Sequence, residues 1–189
     1  MKSTVGRTCV ALLSIFFTLG IGAAEQPNIL WITAEDMSPT LGCYGDLVAN
    51  TPNIDSLAKR SIRFTHAFAS APVCSPSRSC LINGLPATSQ GTHQMRSAFP
   101  IPDSMAGFPT LLRNAGYFTA NNVKTDYNTA NWQSIIKASW DRQGPIAHWR
   151  GRPADQPFFC VFNLMTSHQS RTMVWPYDKF QKEVQSKLS

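Results

Sequence analysis

Two short apolar runs constrain the fold of this chain more than any other feature: residues 28–33 (NILWIT) and residues 158–165 (FFCVFNLM). Each is too short for an ordinary helix and rich in β-branched or aromatic side chains, the pattern of a strand buried inside a sheet. Pro27 bounds the first run, and the acidic pair Glu35-Asp36 follows it. Thr166, Ser167 and His168 follow the second. Polar residues therefore collect at the carboxyl ends of buried strands, which is where open α/β sheets bind ligands.

The segments between these runs alternate in type. Thr51 is placed to cap a helix that has Pro52 at its first position and Ile54, Leu57 and Ala58 at helical spacing, ending near Arg60. Residues 62–68 alternate Ile62 and Phe64 with Arg63 and Thr65, as in a strand with one solvated face. A polar, proline-containing loop covers 70–76, and residues 77–83 read as a short helix stopped by Gly84. Residues 110–115 read as a helix ended by Gly116, and 117–123 as a strand. Residues 124–157 mix Asn, Trp, Gly and Pro without clear period and read as loop-rich; the tail after His168 is amphipathic and contains lysines. This order predicts an α/β sandwich, with a central, largely parallel or mixed sheet flanked by helices. A hydrophobic content of 43% in 189 residues suits one globular domain.

The first residues read differently. Lys2 and Arg7 precede an apolar run at 10–21, which ends in Gly22, Ala23 and Ala24. A basic start, a short apolar stretch and small residues at the end form a signal-peptide pattern. Residues 1–24 are expected to be removed, leaving a secreted or periplasmic chain at 25–189. No later stretch approaches the roughly 20 apolar residues of a membrane span, so no stable membrane anchor is expected. Taking Lys2 and Arg7 from 17 basic residues leaves 15 against 11 acidic ones, a net charge of +4. The basic residues are scattered, which argues against nucleic acid and toward an anionic small molecule or glycan. Cys43, Cys74, Cys80 and Cys160 remain, too few for a disulfide scaffold, and no spacing among them matches a zinc site.

Glu35 and Asp36 offer hard oxygen donors suited to Ca2+ or Mg2+. Lys124 and His168, each near the end of a candidate strand, suit an oxyanion ester. The segment Cys74-Ser75-Pro76-Ser77-Arg78 brings a cysteine and an arginine toward a helix N-terminus, whose free amides favour an anion. Taken singly, the acidic pair reads as a solvated turn, Cys74 as an ordinary thiol, Lys124 as a surface lysine and His168 as structural. Together they describe a metal-assisted anion-transfer site.

Cys74-Ser75-Pro76-Ser77-Arg78 resembles the C-x-P-S-R sequence of the type I sulfatases, and as in that family a helical stretch and a glycine follow at 79–84. PNILWITAEDM resembles the family's first strand and metal-binding turn, and TPNIDSLAKRSIRFTHAF its next helix and strand. The match in order and spacing covers roughly residues 27 to 170, nearest to heparan N-sulfatase-like and other glycan sulfatases.

The resemblance implies an alkaline-phosphatase-like fold and conversion of Cys74 to formylglycine by a sulfatase-maturing enzyme. One hydroxyl of the hydrated aldehyde attacks sulfur; deprotonation of the other expels sulfate and restores the aldehyde. It also implies a divalent cation, usually Ca2+, bound by residue 74 and by carboxylates that here are Glu35 and Asp36. Glu35 departs from the family's usual Asp-Asp pair. Arg78 is implied to stabilise the hydrate, Lys124 to contact sulfate, and His168 to contact sulfate or protonate the leaving oxygen. The family's G-K-x-H sequence here reads Val123-Lys124-Thr125-Asp126, with Asp126 in the histidine's place. His93 and Arg96, in GTHQMR, are candidates to reach the sugar of a sulfated carbohydrate.

Members of the family are longer, and their second half supplies further cation ligands, so residues 25–189 are expected to be the N-terminal part of a sulfatase catalytic domain, truncated and weakly active or inactive alone. Two other functions fit the same residues: a phosphatase or phosphonate hydrolase of the same superfamily, and a noncatalytic glycan-binding protein in which Cys74 stays a thiol.

Overall fold

The computed structural model describes residues 26–187, and the expected signal peptide at 1–24 lies outside the described residues. In chain order the elements are β1 (Ile29–Ala34), α1 (Pro52–Ala58), α2 (Cys74–Asn83), α3 (Ala87–Gln90), α4 (Pro109–Asn114), β2 (Phe118–Asn122), α5 (Trp132–Ser139), β3 (Arg142–Gln143), β4 (Phe158–Leu164), α6 (Ser170–Met173) and α7 (Tyr177–Glu183), with short 3-10 turns between some of them. The strands order as β1-β4-β2-β3 and every pairing is parallel. The last strand in sequence thus sits between the first two, and Thr33 pairs with Asn163 near the carboxyl end. No helix among the described residues is long and apolar enough to cross a membrane.

Alternation along the strands sorts side chains onto two faces. Trp31, Phe159 and Val161 point to one face, where Ile82, Tyr127, Ile135 and Trp140 complete a core. The ring of Phe159 meets those of Trp31, Phe108 and Trp140 at centroid distances of 6.1, 5.3 and 5.7 Å. Phe118, Ala120 and Cys160 point to the other face and pack with Ala147 and Trp149. Gly107 lets the chain pass between α2 and α5: a Cβ there would lie 2.7 Å from Ile82 Cγ1 and 2.8 Å from Ser139 Oγ.

Three sequence expectations need correction. Residues 62–68 form no strand; Ile62, Phe64 and Phe68 are 85, 68 and 88% exposed. Alternation makes a strand only where a neighbour supplies the ladder and the packing, and no described residue does so. The stretch 124–157 is more ordered than its composition implies, holding α5 and the two-residue β3. Both are shorter than the window over which periodicity is legible. Thr51 precedes α1, but its hydroxyl does not cap the helix; it accepts from the Gly42 amide at 2.9 Å and donates to Asp55 Oδ1 at 3.0 Å.

Candidate active site

The site assembles at the carboxyl end of the sheet. Val73 is extended (φ −134°, ψ 142°) and the helical path starts at Cys74, the first residue of α2. The sequence reading placed this start at Ser77, after a proline-containing loop at 70–76. Within the first turn, however, the missing amide of Pro76 has no intrahelical acceptor to lose. The earlier start puts Arg78 one turn after Cys74 on the same face. Gly84 ends the helix in the left-handed region at φ 66°, as its identity predicted. Ser75 Oγ anchors the helix start, its single proton shared between the Asp126 carbonyl at 2.8 Å and Asn128 Oδ1 at 3.1 Å.

Glu35 is the hub. Its amide donates to the Leu164 carbonyl at 3.3 Å, continuing the β1–β4 ladder. Its carboxylate is 7% exposed and takes Arg78 through Nε at 3.1 Å and through Nη2, and Lys124 Nζ at 2.9 Å. Burial pushes the Glu35 carboxyl up, but the hydrogen bonds and charges of Arg78 and Lys124 together outweigh it and hold the group below the ordinary carboxylate value.

Below this pair lies a polar layer that sequence reasoning missed. Arg78 Nη1 donates to Asn163 Oδ1 at 2.8 Å, and the same oxygen accepts from Thr33 Oγ1 at 2.9 Å. Asn163 Nδ2 donates to Asn121 Oδ1 at 3.1 Å and to the Asn122 carbonyl at 2.7 Å; Asn121 Nδ2 donates to the Lys124 carbonyl at 3.1 Å. The ends of β1, β4 and β2 are thereby joined. A signal was present: an asparagine inside the run FFCVFNLM must find partners if the run is buried.

Cys74 is a half-buried free thiol. Burial raises its pKa, a hydrogen bond with Asp126 adds to the rise, and the charge of Lys124 opposes it. Asp126, at φ 50°, lies 3.7 Å from Lys124 Nζ and 3.2 Å from Arg96 Nη1. Asp36, also left-handed at φ 51°, is exposed and accepts the Gln169 amide at 2.9 Å. The Ser167 hydroxyl bonds the Glu35 carbonyl. The turn carrying His168 therefore rests on the acidic pair, with His168 Nδ1 hydrogen-bonded to the Ser170 hydroxyl at 2.7 Å.

Cys74, Arg78, Lys124 and Glu35 thus come together, joined by Asp126. Asp36 and His168 border them, Arg96 stands across Asp126, and His93 is exposed and outside the cluster. Among the described residues no group of three or more His, Cys, Asp or Glu side chains is arranged to hold a metal ion. A cavity of about 510 Å³ opens beside Ser75 and Asp126 and extends to Trp132.

A family model described as Sulfatase matches residues 27–188, most of the chain. The chain belongs to the sulfatase family. This sulfatase chain is 37% identical over 159 residues to an ulvan-active sulfatase of Formosa agariphila, a match covering 77% of this chain and 26% of the relative. It is 39% identical over 114 residues to human N-sulphoglucosamine sulphohydrolase, covering 59% of this chain and 22% of that one. It thus spans about a quarter of the length of these curated relatives.

Two solved structures share its fold. A protein in complex with its substrate D-glucosamine-2-N,6-O-disulfate has a TM-score of 0.62 at 20% identity, covering 79% of this chain and 38% of that one. A 2-O GAG sulfatase has a TM-score of 0.62 at 21% identity, covering 76% and 36%. The parallel sheet is accordingly that of the alkaline-phosphatase-like sulfatase fold.

Proposed function

We propose that this sulfatase chain carries the nucleophile and anion-binding part of a site that hydrolyses sulfate esters or sulfamates of glycans. The observation that supports this best is the convergence of Arg78 and Lys124 on Glu35 at the sheet's carboxyl end, across as many as 89 residues of sequence, with Cys74 beside Asp126 and Lys124. The names of the relatives, with ulvan and sulphoglucosamine among them, support a sulfated carbohydrate as substrate.

Cys74 is the residue that becomes formylglycine, which supplies an oxygen nucleophile where a thiol would not serve. The fit is sound: residue 74 is part-exposed, begins α2, and has a carboxylate and an ammonium beside it. Arg78 and Lys124 bring positive charge to the sulfate oxygens and to the reacting group, in a site sheltered enough for charge to count. His168 protonates the departing oxygen.

Glu35 and Asp36, adjacent in sequence, fit a hard cation in donor type, two of the six to eight oxygens that Ca2+ takes, although both Glu35 oxygens are engaged here by Arg78 and Lys124. Such an ion would add positive charge next to the sulfate. Glu35 also has a role of its own, holding Arg78 and Lys124 side by side. The chain is exported, and a sulfatase-maturing enzyme acts on it.

The test is peptide mass spectrometry across residues 70–78 of protein co-expressed with a maturing enzyme, paired with rates on 4-nitrophenyl sulfate and 4-nitrophenyl phosphate. Formylglycine at position 74 with preference for the sulfate ester is the expected result. An unmodified thiol with no hydrolysis would favour a noncatalytic glycan binder; preference for the phosphate would favour a phosphatase.

A further inference from the structure

We propose that the cavity beside Ser75 and Asp126, next to the Cys74 end of α2, is a subsite for a glycosyl unit bearing a second anionic group, and that Arg96 reads that group. The inference rests on the sulfatase reading and adds what the substrate must carry.

Three cations surround the site, and they are not equivalent. Arg78 and Lys124 are 12 and 14% exposed and both bind the buried Glu35. The Arg96 side chain is 73% exposed, and its ion-pair partner is Asp126, 3.2 Å away. Arg96 is the solvent-facing member of this pair, so an incoming anion can take it from Asp126 at little cost. Asp126 keeps Lys124 as a partner when that happens.

The position of Arg96 is built rather than incidental. Its backbone is left-handed at φ 61°, an unfavourable conformation for a side chain with a Cβ. The buried Asn128 holds the loop on both sides of it: Nδ2 donates to the carbonyls of Thr92 and Gln94 at 2.7 and 2.5 Å, and Oδ1 accepts the Ser97 amide at 2.8 Å. The Asn128 amide in turn donates to Ser79 Oγ of α2 at 2.6 Å. Arg96 is therefore tied to the same helix that presents Cys74.

The rest of the cavity suits a sugar ring. Trp132, 43% exposed, offers an aromatic surface for the C–H face of a pyranose, and the segments of Ser97 and Thr125 contribute hydroxyl-bearing walls.

The test uses the full-length, matured enzyme and three sulfated glycosides that differ in one substituent: a monosulfate, the same sugar with an added carboxylate, and the same sugar with a second sulfate. Wild type is expected to show a higher kcat/KM on at least one dianionic substrate. Arg96→Ala is expected to lose about tenfold more kcat/KM on that substrate than on the monosulfate, Arg96→Lys to recover part of the loss, and Trp132→Ala to raise KM on the glycosides. Gain from the carboxylate alone identifies a uronate, and gain from the second sulfate alone a disulfated sugar. Equal loss on all three overturns the assignment. If the enzyme hydrolyses no sulfate, the sulfatase reading fails; calorimetric binding of the dianionic glycosides to wild type and to Arg96→Ala then decides the subsite separately, with equal affinities overturning it.

Discussion

Lys124 Nζ lies 2.9 Å from Glu35 Oε2, joining the segment after β2 to the end of β1 across 89 residues of sequence. Arg78 closes on the same carboxylate from α2. One buried acid therefore sets the distance between the two cations that the proposed chemistry needs.

Replacing Glu35 by Gln keeps the shape and removes the charge. Arg78 then loses its carboxylate partner and Lys124 keeps only Asp126, 3.7 Å away, so a loss of about 3–5 kcal/mol is expected. Because the folded-state pKa of Glu35 lies below 4.5, the stability it contributes is present above that value and is lost as pH falls through the folded pKa. Urea denaturation of the full-length protein across pH 3–7 should show this acid slope in wild type and a reduced slope in Glu35→Gln. Identical slopes would contradict the assignment.

Tyr127 gives the opposite limit. Burial pushes its phenol up to about 12, with the Trp140 indole donating to its oxygen at 3.0 Å. The unfolded phenol ionises near 10, so stability is full below pH 10 and falls by up to about 3 kcal/mol as pH rises toward 12. Tyr127→Phe should lower stability at neutral pH by about 1–3 kcal/mol, since it leaves the indole N–H unpaired, and should flatten the alkaline decline. Stability curves from pH 8 to 11.5 check both.

Asn163→Leu tests the polar layer. It preserves bulk while removing the partners of Thr33 Oγ1, Asn121 Oδ1 and the Asn122 carbonyl, each lost partner costing about 1–3 kcal/mol, and leaves Arg78 Nη1 only its longer bond to the Lys124 carbonyl. The urea midpoint should fall by more than for Leu164→Ala at the half-exposed neighbouring position. A smaller fall would show that the layer is dispensable.

Cys74→Ala should separate chemistry from folding. Removing a nucleophile is expected to lower kcat by on the order of 10^4 or more. The half-buried methyl-sized replacement should shift the thermal midpoint by only a few degrees. A retained rate would remove residue 74 from the reaction.

Much of the frame was legible because its causes are local. The runs at 28–33 and 158–165 are strands within a residue or so of their expected bounds, and Gly84 ends its helix where a left-handed residue was needed. The acidic pair, Cys74, Arg78 and Lys124 were singled out from strand-end position and motif, and the structure brings Glu35, Arg78, Lys124 and Cys74 together. Less legible were Asn121 and Asn163, whose value depends on partners in other strands. The alternation at 62–68 misled for the complementary reason, since no described strand pairs with it.

By itself, then, the order of residues determined most of the element types, the α/β class with a largely parallel or mixed sheet, and the family motif, all of which depend on backbone preferences and spacing within a few residues. The tertiary structure alone decided that β4 lies between β1 and β2, that α2 begins at Cys74, and that Glu35 holds both Arg78 and Lys124. Those outcomes depend on which distant groups share a low-dielectric space, where an unpaired charge or amide is costly enough to select one arrangement.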